Sequence, residues 1–331
     1  MKHLFLKYIL LFVGLITINV NAVYALNERT IYVATAGTLS SYISDAEKYS
    51  IEKLTLTGNL NGTDFRLIRD MAGCNYRGDW TEGKLTVLDL SGTRFVAGGD
   101  YYYDTYPSSW RTQGRDFPVK AEELRNKQSK PYKLSPAYLS FKIETPDEVP
   151  LYLFNGCRLA TIILPNNIQA IRGWAFYGCS SLASFSIPNS VTTIDECAFE
   201  GCSSLLSLSI TANVSSIGHG AFRDCSSLSS LNVDSSNSSF SQNSGVLFSI
   251  DMTKLICYPA GKSDANYSVP NSVSTIEGYA FAGCGKLVSV SLGTNVKSIK
   301  FGAFCGCISL KSISVPNSVT SIESSTFADC I

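Results

Sequence analysis

The chain has 331 residues, of which 45% are apolar and 16% are charged, and it is long enough for one large domain or two ordinary ones. Its 27 Lys and Arg residues balance 27 Asp and Glu residues, and the basic residues form no long cluster. Without a basic patch, the chain lacks the electrostatic footprint of a nucleic-acid-binding protein or of a protein held on an anionic membrane. We therefore expect neither partner.

Residues 1–25 have the pattern of a secretory signal peptide. Lys2 and Lys7 give a basic start, residues 8–20 are almost wholly apolar, and Val23 and Ala25 have the small-residue spacing of a cleavage site. The apolar run is too short, and its flanking residues are unsuitable, for a helix that spans a membrane. A buried N-terminal helix or a membrane anchor is the alternative. We expect export, cleavage after residue 25 and no integral membrane segment in the mature chain, which would be secreted or displayed on the cell surface.

Residues 26–95 predict an N-terminal cap followed by repeats that are longer than those of the C-terminal half. Residues 31–34 read as a strand, and residues 39–49 as a helix that starts after Thr38. The apolar pattern of residues 51–56 returns at 85–90, a spacing of 34, and predicts two strands. Between them, Thr63 and Asp64 could cap a short amphipathic helix through Phe65, Leu67, Ile68 and Met71. A cap of this kind shields the first turn of a solenoid.

Residues 96–150 fit no period and are interpreted as an irregular Tyr-rich and charged insertion. Tyrosine and tryptophan are enriched where proteins bind, because their rings combine a large apolar area with a polar atom. The aromatic group of this segment is therefore the candidate ligand-binding site, with a packed loop as the alternative. Its members are Tyr101, Tyr102, Tyr103, Tyr106 and Trp110.

Residues 151–331 contain a repeat with a period of 23. Phenylalanine recurs at this spacing from Phe176, and a cysteine lies three positions after each phenylalanine. A degenerate copy begins at Phe154, one residue shorter, and the step from Phe222 to Phe281 is one period plus an insertion. Repetition at one fixed period is the signature of a solenoid, since so short a unit must stack on its neighbours to bury its apolar side chains.

One unit shows how the period becomes structure. Phe185 and Ile187 share one face of a strand, Leu182 lies at the bend before it, and Pro188 ends it. Val191 and Ile194 point inward on the return path, followed by the buried Ala198, Phe199 and Cys202. The Phe-x-x-Cys spacing fits one helical turn. Stacked units would form a parallel sheet with a strand spacing of roughly 4.8 Å.

Two segments of this unit, residues 187–194 and 198–205, resemble the BspA-like family of leucine-rich-repeat proteins. The resemblance covers residues 151–331. It implies a repeat solenoid, namely a right-handed leucine-rich-repeat superhelix with a parallel β-sheet on the concave face and short helical turns on the other side. It also implies secretion or surface display and adhesion to host or neighbouring-cell proteins, and it does not imply an enzyme.

The long step between Phe222 and Phe281 contains an insertion near residues 234–269. It opens with Ser and Asn, and its two apolar segments, residues 245–248 and 255–258, are typical of a β-hairpin. We expect the hairpin to project from the edge of the solenoid.

The eleven cysteines suggest disulfides or a metal site in an exported chain. Their placement favours a structural role, because seven of them occupy the same inward position of successive repeats, where a small buried apolar side chain fits. Cys305 adds an off-ladder thiol two positions before Cys307 and could form a redox pair with it. The seven ladder cysteines are Cys157, Cys179, Cys202, Cys225, Cys284, Cys307 and Cys330.

The sequence contains few residue patterns that are typical of a catalytic site. His219, the one histidine of the mature chain, lies in a repeat turn where neighbouring copies carry residues such as Glu196 or Phe301, which indicates an exposed position. One histidine cannot build a His-rich metal site, and no phosphate-binding loop is present. The sequence leaves open whether two carboxylates lie close together in the fold, as they do in a glycosidase. We expect no enzyme activity, no metal and no cofactor.

The outward strand positions predict a flat, neutral, hydroxyl-rich face without aromatic or Arg anchors. The first hypothesis for function is therefore adhesion to, or recognition of, an extracellular or host-surface protein. The alternative is a structural or glycan-binding envelope protein without a specific protein ligand. One file of outward positions reads Thr161, Ser184, Ser207, Ser230, Ser289 and Ser312; the second reads Ile163, Ser186, Ser209, Asn232, Ser291 and Ser314.

The last turn of the repeat has no polar cap after it in this sequence. Its apolar side chains would lie at an open strand edge, where another chain could pair. We expect self-association through this end. The side chains concerned are Ile313, Val315, Val319, Ile322 and Phe327.

Overall fold

The computed structural model describes residues 27–105 and 139–330, and these residues form a parallel β-solenoid. The first strand of each turn lies on one face, called here the strand face. The predicted strands at residues 31–34, 51–56 and 85–90 are confirmed within it. The face contains β1 (Glu28–Val33), β2 (Lys53–Leu60), β3 (Val87–Phe95), β7 (Thr161–Ile163), β9 (Ser184–Phe185), β11 (Ser207–Ile210), β13 (Ser230–Val233), β17 (Asn266–Ser268), β19 (Ser289–Ser291) and β21 (Ser312–Ser314).

Pairing between the strands reproduces the periods of the sequence. Lys53 pairs with Val87, which confirms the spacing of 34, and Thr161 pairs with Ser184, which confirms the spacing of 23. Val87 also pairs with Thr161. β3 and β7 are therefore neighbouring strands of this face, although the residues between them fit no period.

A second set of parallel strands lies on the return path of each turn, where sequence analysis predicted only inward side chains. Val191 and Ile194 are fully buried there, as expected. Each of these short strands pairs with its equivalent one turn away. The set comprises β6 (Glu148–Val149), β8 (Ala170–Ile171), β10 (Thr193–Ile194), β12 (Ser216–Ile217), β16 (Lys254–Cys257), β18 (Thr275–Ile276), β20 (Ser298–Ile299) and β22 (Ser321–Ile322).

The Phe-x-x-Cys segments are hydrogen-bonded turns rather than helices. Cys197 and Gly201 flank Phe199, and both have a left-handed backbone, with φ of 53° and 74°. A left-handed residue on each side prevents the helical hydrogen-bond pattern from propagating. The turns instead bond to one another: the Phe199 N–H donates to the carbonyl of Ala221 in the next turn, 2.8 Å away.

The N-terminal unit contains one α-helix, α1 (Gly62–Met71), as the sequence predicted. Its N-cap is Asn61 rather than the predicted Thr63 or Asp64: the Asn61 side chain accepts the N–H of Thr63, and the Asp64 carboxylate accepts the N–H of Asn61. The buried Asp64 carboxylate also accepts the N–H of Leu39 at 2.9 Å.

The helix predicted for residues 39–49 is wrong. A 3₁₀ helix covers Leu39–Ser41 only, and turns follow it. Serine hydroxyls bond the backbone of this segment: Ser41 Oγ donates to the carbonyl of Thr38 at 2.7 Å, and Ser50 Oγ donates to the carbonyl of Glu47 at 2.8 Å.

The region without a period, residues 96–150, contains ordered strands at both ends. β4 (Gly98–Thr105) pairs antiparallel with β5 (Leu139–Ile143), and β4 packs on α1. The N–H of Asp100 donates to Thr63 Oγ1 at 2.9 Å, and Gly62 is required because any Cβ there would overlap the carbonyl oxygen of Asp100. Since β6 starts at Glu148, the regular solenoid resumes before residue 151.

The insertion near residues 234–269 forms the predicted hairpin, but its position was predicted wrongly. β14 (Phe240–Asn243), β15 (Val246–Ser249) and β16 pair antiparallel, with Phe248 opposite Leu255. The hairpin does not project. Val246, Leu247, Phe248 and Leu255 are all fully buried, because β15 is apolar on both faces and packs inside the solenoid.

Tyr258 occupies the phenylalanine position of a repeat that the sequence analysis missed. Its ring stacks on Phe281, one period further on, at 5.2 Å between centroids. The long step from Phe222 therefore contains two turns of the repeat and only a short additional segment. Stacked rings continue through the array: Phe154–Phe176 at 5.3 Å, Phe176–Phe199 at 5.1 Å, Phe199–Phe222 at 6.0 Å, Phe281–Phe304 at 4.7 Å and Phe304–Phe327 at 5.6 Å.

At the last turns, burial decreases. Val315, Ile322 and Phe327 are exposed, while Ile313 and Val319 are half-buried. Across residues 27–105 and 139–330, none of the helices has the length and apolar character needed to cross a bilayer.

Candidate interaction surfaces

The strand face has the two outward files that the sequence predicted. Ser207 pairs with Ser230, and Ser209 pairs with Asn232. All twelve positions are exposed or half-exposed. The register extends the second file toward the N-terminus through Asp89 and Thr55. The result is a flat face with a hydroxyl group at most turns, and its exposed large apolar or aromatic side chains include Tyr32 and Ile163.

The predicted aromatic site is divided by the fold. Tyr101 is 44% exposed, whereas Tyr102 and Tyr103 are buried. Tyr102 donates its hydroxyl to the carbonyl of Leu151 at 2.7 Å, and the Tyr103 ring stacks on Tyr152 at 5.6 Å. These two side chains hold β4 against the solenoid. Tyr106 and Trp110 lie outside the described residues.

A second aromatic group lies beside β4, and sequence analysis did not identify it. Trp80 is 67% exposed, and the Arg158 guanidinium lies over its ring at 4.7 Å from the centroid. The Tyr76 ring lies between two guanidinium groups, Arg66 at 3.6 Å and Arg77 at 5.2 Å.

These residues are continuous with β4. The N–H of Asp104 donates to the Tyr76 carbonyl at 2.6 Å. Arg66 lies 3.9 Å from the carboxylate of Asp100, the residue before Tyr101, and Lys142 lies over the Tyr101 ring at 4.4 Å. We call this area the Trp80 surface; it comprises Arg66, Tyr76, Arg77, Trp80, Tyr101, Lys142 and Arg158.

Local backbone geometry allows the Trp80 surface to form. Gly73 has φ of 87°, and a Cβ on it would lie 2.8 Å from Arg158 Cδ, so only glycine lets the arginine side chain cross the helix end toward Trp80. Trp80 is then held by a backbone bridge to Cys74. The composition of this loop could have suggested an exposed tryptophan, but Arg158 is distant in sequence and its approach follows only from the stacking of the first repeat turn on α1.

The chemistry of the two surfaces differs. The strand face offers mainly hydroxyl groups, whereas the Trp80 surface offers rings and cations, the side chains that contribute most to binding energy in protein interfaces. The cations lie on the ring faces, and each such contact contributes on the order of 0.5–1 kcal/mol at an exposed site. The rings and guanidinium groups are thus held in place before a partner arrives.

His219 is exposed, as predicted, with its Nδ1 3.7 Å from Glu277 Oε2. Burial raises the pKa of the Cys157 thiol to about 12 and raises the pKa of Cys305. Thiols held in the protonated form are poor nucleophiles. All eleven cysteines are free, and Cys305 Sγ contacts Asp329 at 3.9 Å. In the part of the chain that the structure describes, no cluster of His, Cys, Asp and Glu could hold a metal ion.

Similarity to known proteins agrees with this architecture. The family model described as the BspA type leucine rich repeat region matches in six copies, over residues 139–250 and 260–331. Together these ranges include more than half of the chain. No curated protein is similar enough in sequence to match the chain.

Several solved structures are similar. A leucine-rich cell surface protein of Faecalibacterium prausnitzii is 21% identical, with a TM-score of 0.50, over 94% of this chain and 72% of its own. A leucine-rich repeat protein of Eubacterium ventriosum is 15% identical, with a TM-score of 0.53, over 92% and 78%. The pneumococcal vaccine antigen PcpA is 28% identical, with a TM-score of 0.45, over 52% and 49%, so the chain spans about half of that protein.

The first two structures share the fold of this chain, and the repeat model covers more than half of its length. The chain therefore belongs to the BspA-type leucine-rich-repeat family.

Proposed function

We propose that the protein is an exported recognition protein that binds another protein outside the cytoplasm, with the Trp80 surface as the contact. The observation that carries this proposal is the exposed ring of Trp80 under the Arg158 guanidinium. Leucine-rich-repeat proteins are typically binding proteins without enzyme activity, and the Faecalibacterium relative is described as a cell surface protein. The pattern of residues 1–25 supports export.

The energetics of Trp80 favour a binding role over a folding role. A tryptophan that is two-thirds exposed contributes little to the core, while its burial by a partner would remove a large apolar area from water at about 25 cal/mol per Å². Tyr76 and Tyr101 extend the same surface and carry cations that could pair with carboxylates of a partner. A protein partner provides both kinds of group. Tyr106 and Trp110 belong to the same proposal as further aromatic contacts.

The test is binding of the mature chain to a panel of extracellular-matrix and cell-surface proteins, with variants at both surfaces. Trp80→Ala and Tyr101→Ala should each weaken binding by roughly 30-fold or more, the effect of removing an interface anchor worth about 2 kcal/mol. Ser207→Ala, on the strand face, is the matched control and should leave both affinity and melting temperature unchanged. Binding that survives loss of Trp80 and Tyr101 but not of the strand-face residues would refute the Trp80 surface.

Glycan binding is the second candidate function, and the hydroxyl files of the strand face favour it. Ser186 and Ser209 lie on one file and are both exposed, so their hydroxyl groups could bond the hydroxyls of an extended glycan. A glycan array separates the candidates. Specific glycan binding that Ser186→Ala and Ser209→Ala abolish, with Trp80→Ala unaffected, would favour the glycan.

A further inference from the structure

Nine thiols run through the core in one file, called here the thiol file. The seven ladder cysteines form most of it. Cys74 extends it at the N-terminal end, since a Cβ on Gly156, next to Cys157, would lie 3.3 Å from Cys74 Sγ. Cys257 lies between Cys225 and Cys284, and a negative charge on its sulfur would raise the pKa of both neighbouring thiols. The file therefore continues through the insertion that interrupts the sequence period.

The ladder thiols have one orientation. Cys202 Sγ donates to the carbonyl oxygen of Phe176 in the preceding turn, at 3.2 Å. The same bond recurs wherever a preceding aromatic position exists. It joins Cys179 to Phe154 at 3.0 Å, Cys225 to Phe199 at 3.1 Å, Cys284 to Tyr258 at 3.5 Å, Cys307 to Phe281 at 3.1 Å and Cys330 to Phe304 at 3.2 Å.

This orientation is poor geometry for disulfides between neighbours, although the Cys284 and Cys307 thiols also hydrogen-bond to each other. A disulfide requires a Cβ–S–S–Cβ dihedral near ±90° and side chains that point toward each other. The Cβ–Sγ bonds of adjacent turns are parallel, because each points to the carbonyl of the turn before it. Bridging Cys202 and Cys225 would break two thiol–carbonyl bonds in a closely packed core.

In the unfolded chain the same thiols have no such restriction. Cys179, Cys202 and Cys225 follow one another at the period of the repeat, and a flexible chain closes a loop of that length at modest entropic cost. Each thiol is then exposed, and every pairing among them is non-native.

We propose that folding of this protein is redox-gated: a disulfide oxidant traps the unfolded chain, whereas the folded chain resists the same oxidant. Two cysteine thiols lose two electrons and two protons and form one S–S bond, and the oxidant disulfide takes both and leaves as two thiols. Because the native fold accommodates no such bond in the thiol file, each must be reduced before the turn containing it can stack. Folding then requires surroundings poor in disulfide oxidants, whatever the protein binds.

Burial supplies the protection of the folded state. An oxidant must form a mixed disulfide with a thiolate, so a thiol in a closed core reacts only when its turn opens. One member of the file, Cys330, is only half-buried and should react first. The fully enclosed ladder members are Cys157, Cys179, Cys202, Cys225, Cys284 and Cys307.

The experiment compares refolding of the reduced, denatured chain in reduced and in oxidised glutathione, at the same pH and total glutathione concentration. The yield of native protein, measured by near-UV circular dichroism and the cooperative melting transition, should fall by at least about fivefold in oxidised glutathione. Dithiothreitol added afterwards should restore it. The folded chain, kept in oxidised glutathione for the same time, should retain its melting temperature and most of its eleven thiols by mass spectrometry.

A variant with alanine at all eleven cysteine positions is the matched control and should refold equally in both buffers. If this variant does not fold, recovery of native wild-type protein after dithiothreitol is added still distinguishes trapping by disulfides from other kinds of misfolding. Equal refolding yields of the wild type in the two buffers would overturn the proposal. So would a native, normally melting chain that contains a bridge between two members of the thiol file.

Discussion

Arg69 Nη1 donates a hydrogen bond to the carbonyl oxygen of Leu153, 2.8 Å away and 84 residues further along the chain. The guanidinium is fully buried and also bonds the carbonyls of Tyr152, Asn75 and Asn155. The Tyr103 ring lies beneath it at 4.6 Å. One cation thereby joins α1, β4 and the first turn of the repeat.

Arg69→Met should therefore destabilise the protein by roughly 3 kcal/mol, because several buried carbonyls lose their donor and each unsatisfied group costs about 1–3 kcal/mol. Urea unfolding followed by circular dichroism measures the change. Arg77→Met, at an exposed position, is the control and should destabilise the protein by no more than about 0.5–1 kcal/mol, the contribution of its contact with the Tyr76 ring. Equal midpoints for the two variants would show that Arg69 does not join the N-terminal unit to the repeats.

Tyr258→Ala should be as destabilising as Phe222→Ala, at about 3–5 kcal/mol each, because both remove a ring from a stacked and closely packed core. Tyr258→Phe should cost less than about 1 kcal/mol, since it keeps the ring and loses only the bond to Asp264. His219→Ala should change stability by no more than about 0.5 kcal/mol. Thermal melts test the order, and a large loss for Tyr258→Phe would contradict the ring-stacking role.

Two glycines with nearly the same backbone conformation allow the stability cost of backbone strain to be measured separately from the cost of steric overlap. Gly178 and Gly302 have φ of 68° and 61°, but a Cβ on Gly302 would lie 2.5 Å from the Tyr279 ring, while one on Gly178 meets nothing within 4 Å. Gly178→Ala should cost about 1–2 kcal/mol through backbone strain alone. Gly302→Ala should cost about 1–3 kcal/mol more.

Replacing Tyr279 by alanine in the Gly302→Ala background should recover part of that additional loss, as a double-mutant cycle measures. The two mutations would then be non-additive. Strict additivity would mean that Tyr279 moves aside freely.

Alkaline pH should unfold the protein over a narrow range. Burial raises the pKa of Cys157 and Cys257 to about 12, and raises the pKa of Cys179, Cys202 and Cys225 well above the ordinary value. A thiol whose pKa is higher in the folded state stabilises fully below its unfolded pKa, near 8.5, and loses this contribution as the pH rises.

Each such thiol reduces the free energy of unfolding by up to about 1.4 kcal/mol per pH unit above that value, and several act together. Urea midpoints measured from pH 8 to pH 11 with a phosphine reductant should therefore fall steeply from about pH 9. A midpoint that stays constant to pH 10 would contradict the burial of the thiol file.

Much of the fold was predictable because the repeat makes the same physical demand at each turn. The positions of Phe199 and Cys202 recur at one fixed period, and each copy supports the inward direction of the others. Local chemistry also identified α1, since polar capping residues stand just before an apolar period. The same reasoning predicted a helix wrongly at residues 39–49, where serine hydroxyls bond backbone carbonyls in a series of turns.

By itself the sequence determined the solenoid, its inward positions and the hydroxyl files of the strand face, because these depend on spacing along the chain. Only the tertiary structure decided which aromatic side chains are accessible: it buries Tyr102 and Tyr103, leaves Trp80 exposed under Arg158, and assigns Tyr258 to a missing turn. It also decided the environment of Arg69. Each of these depends on contacts between residues far apart in sequence, and such contacts form only when one turn packs on the next.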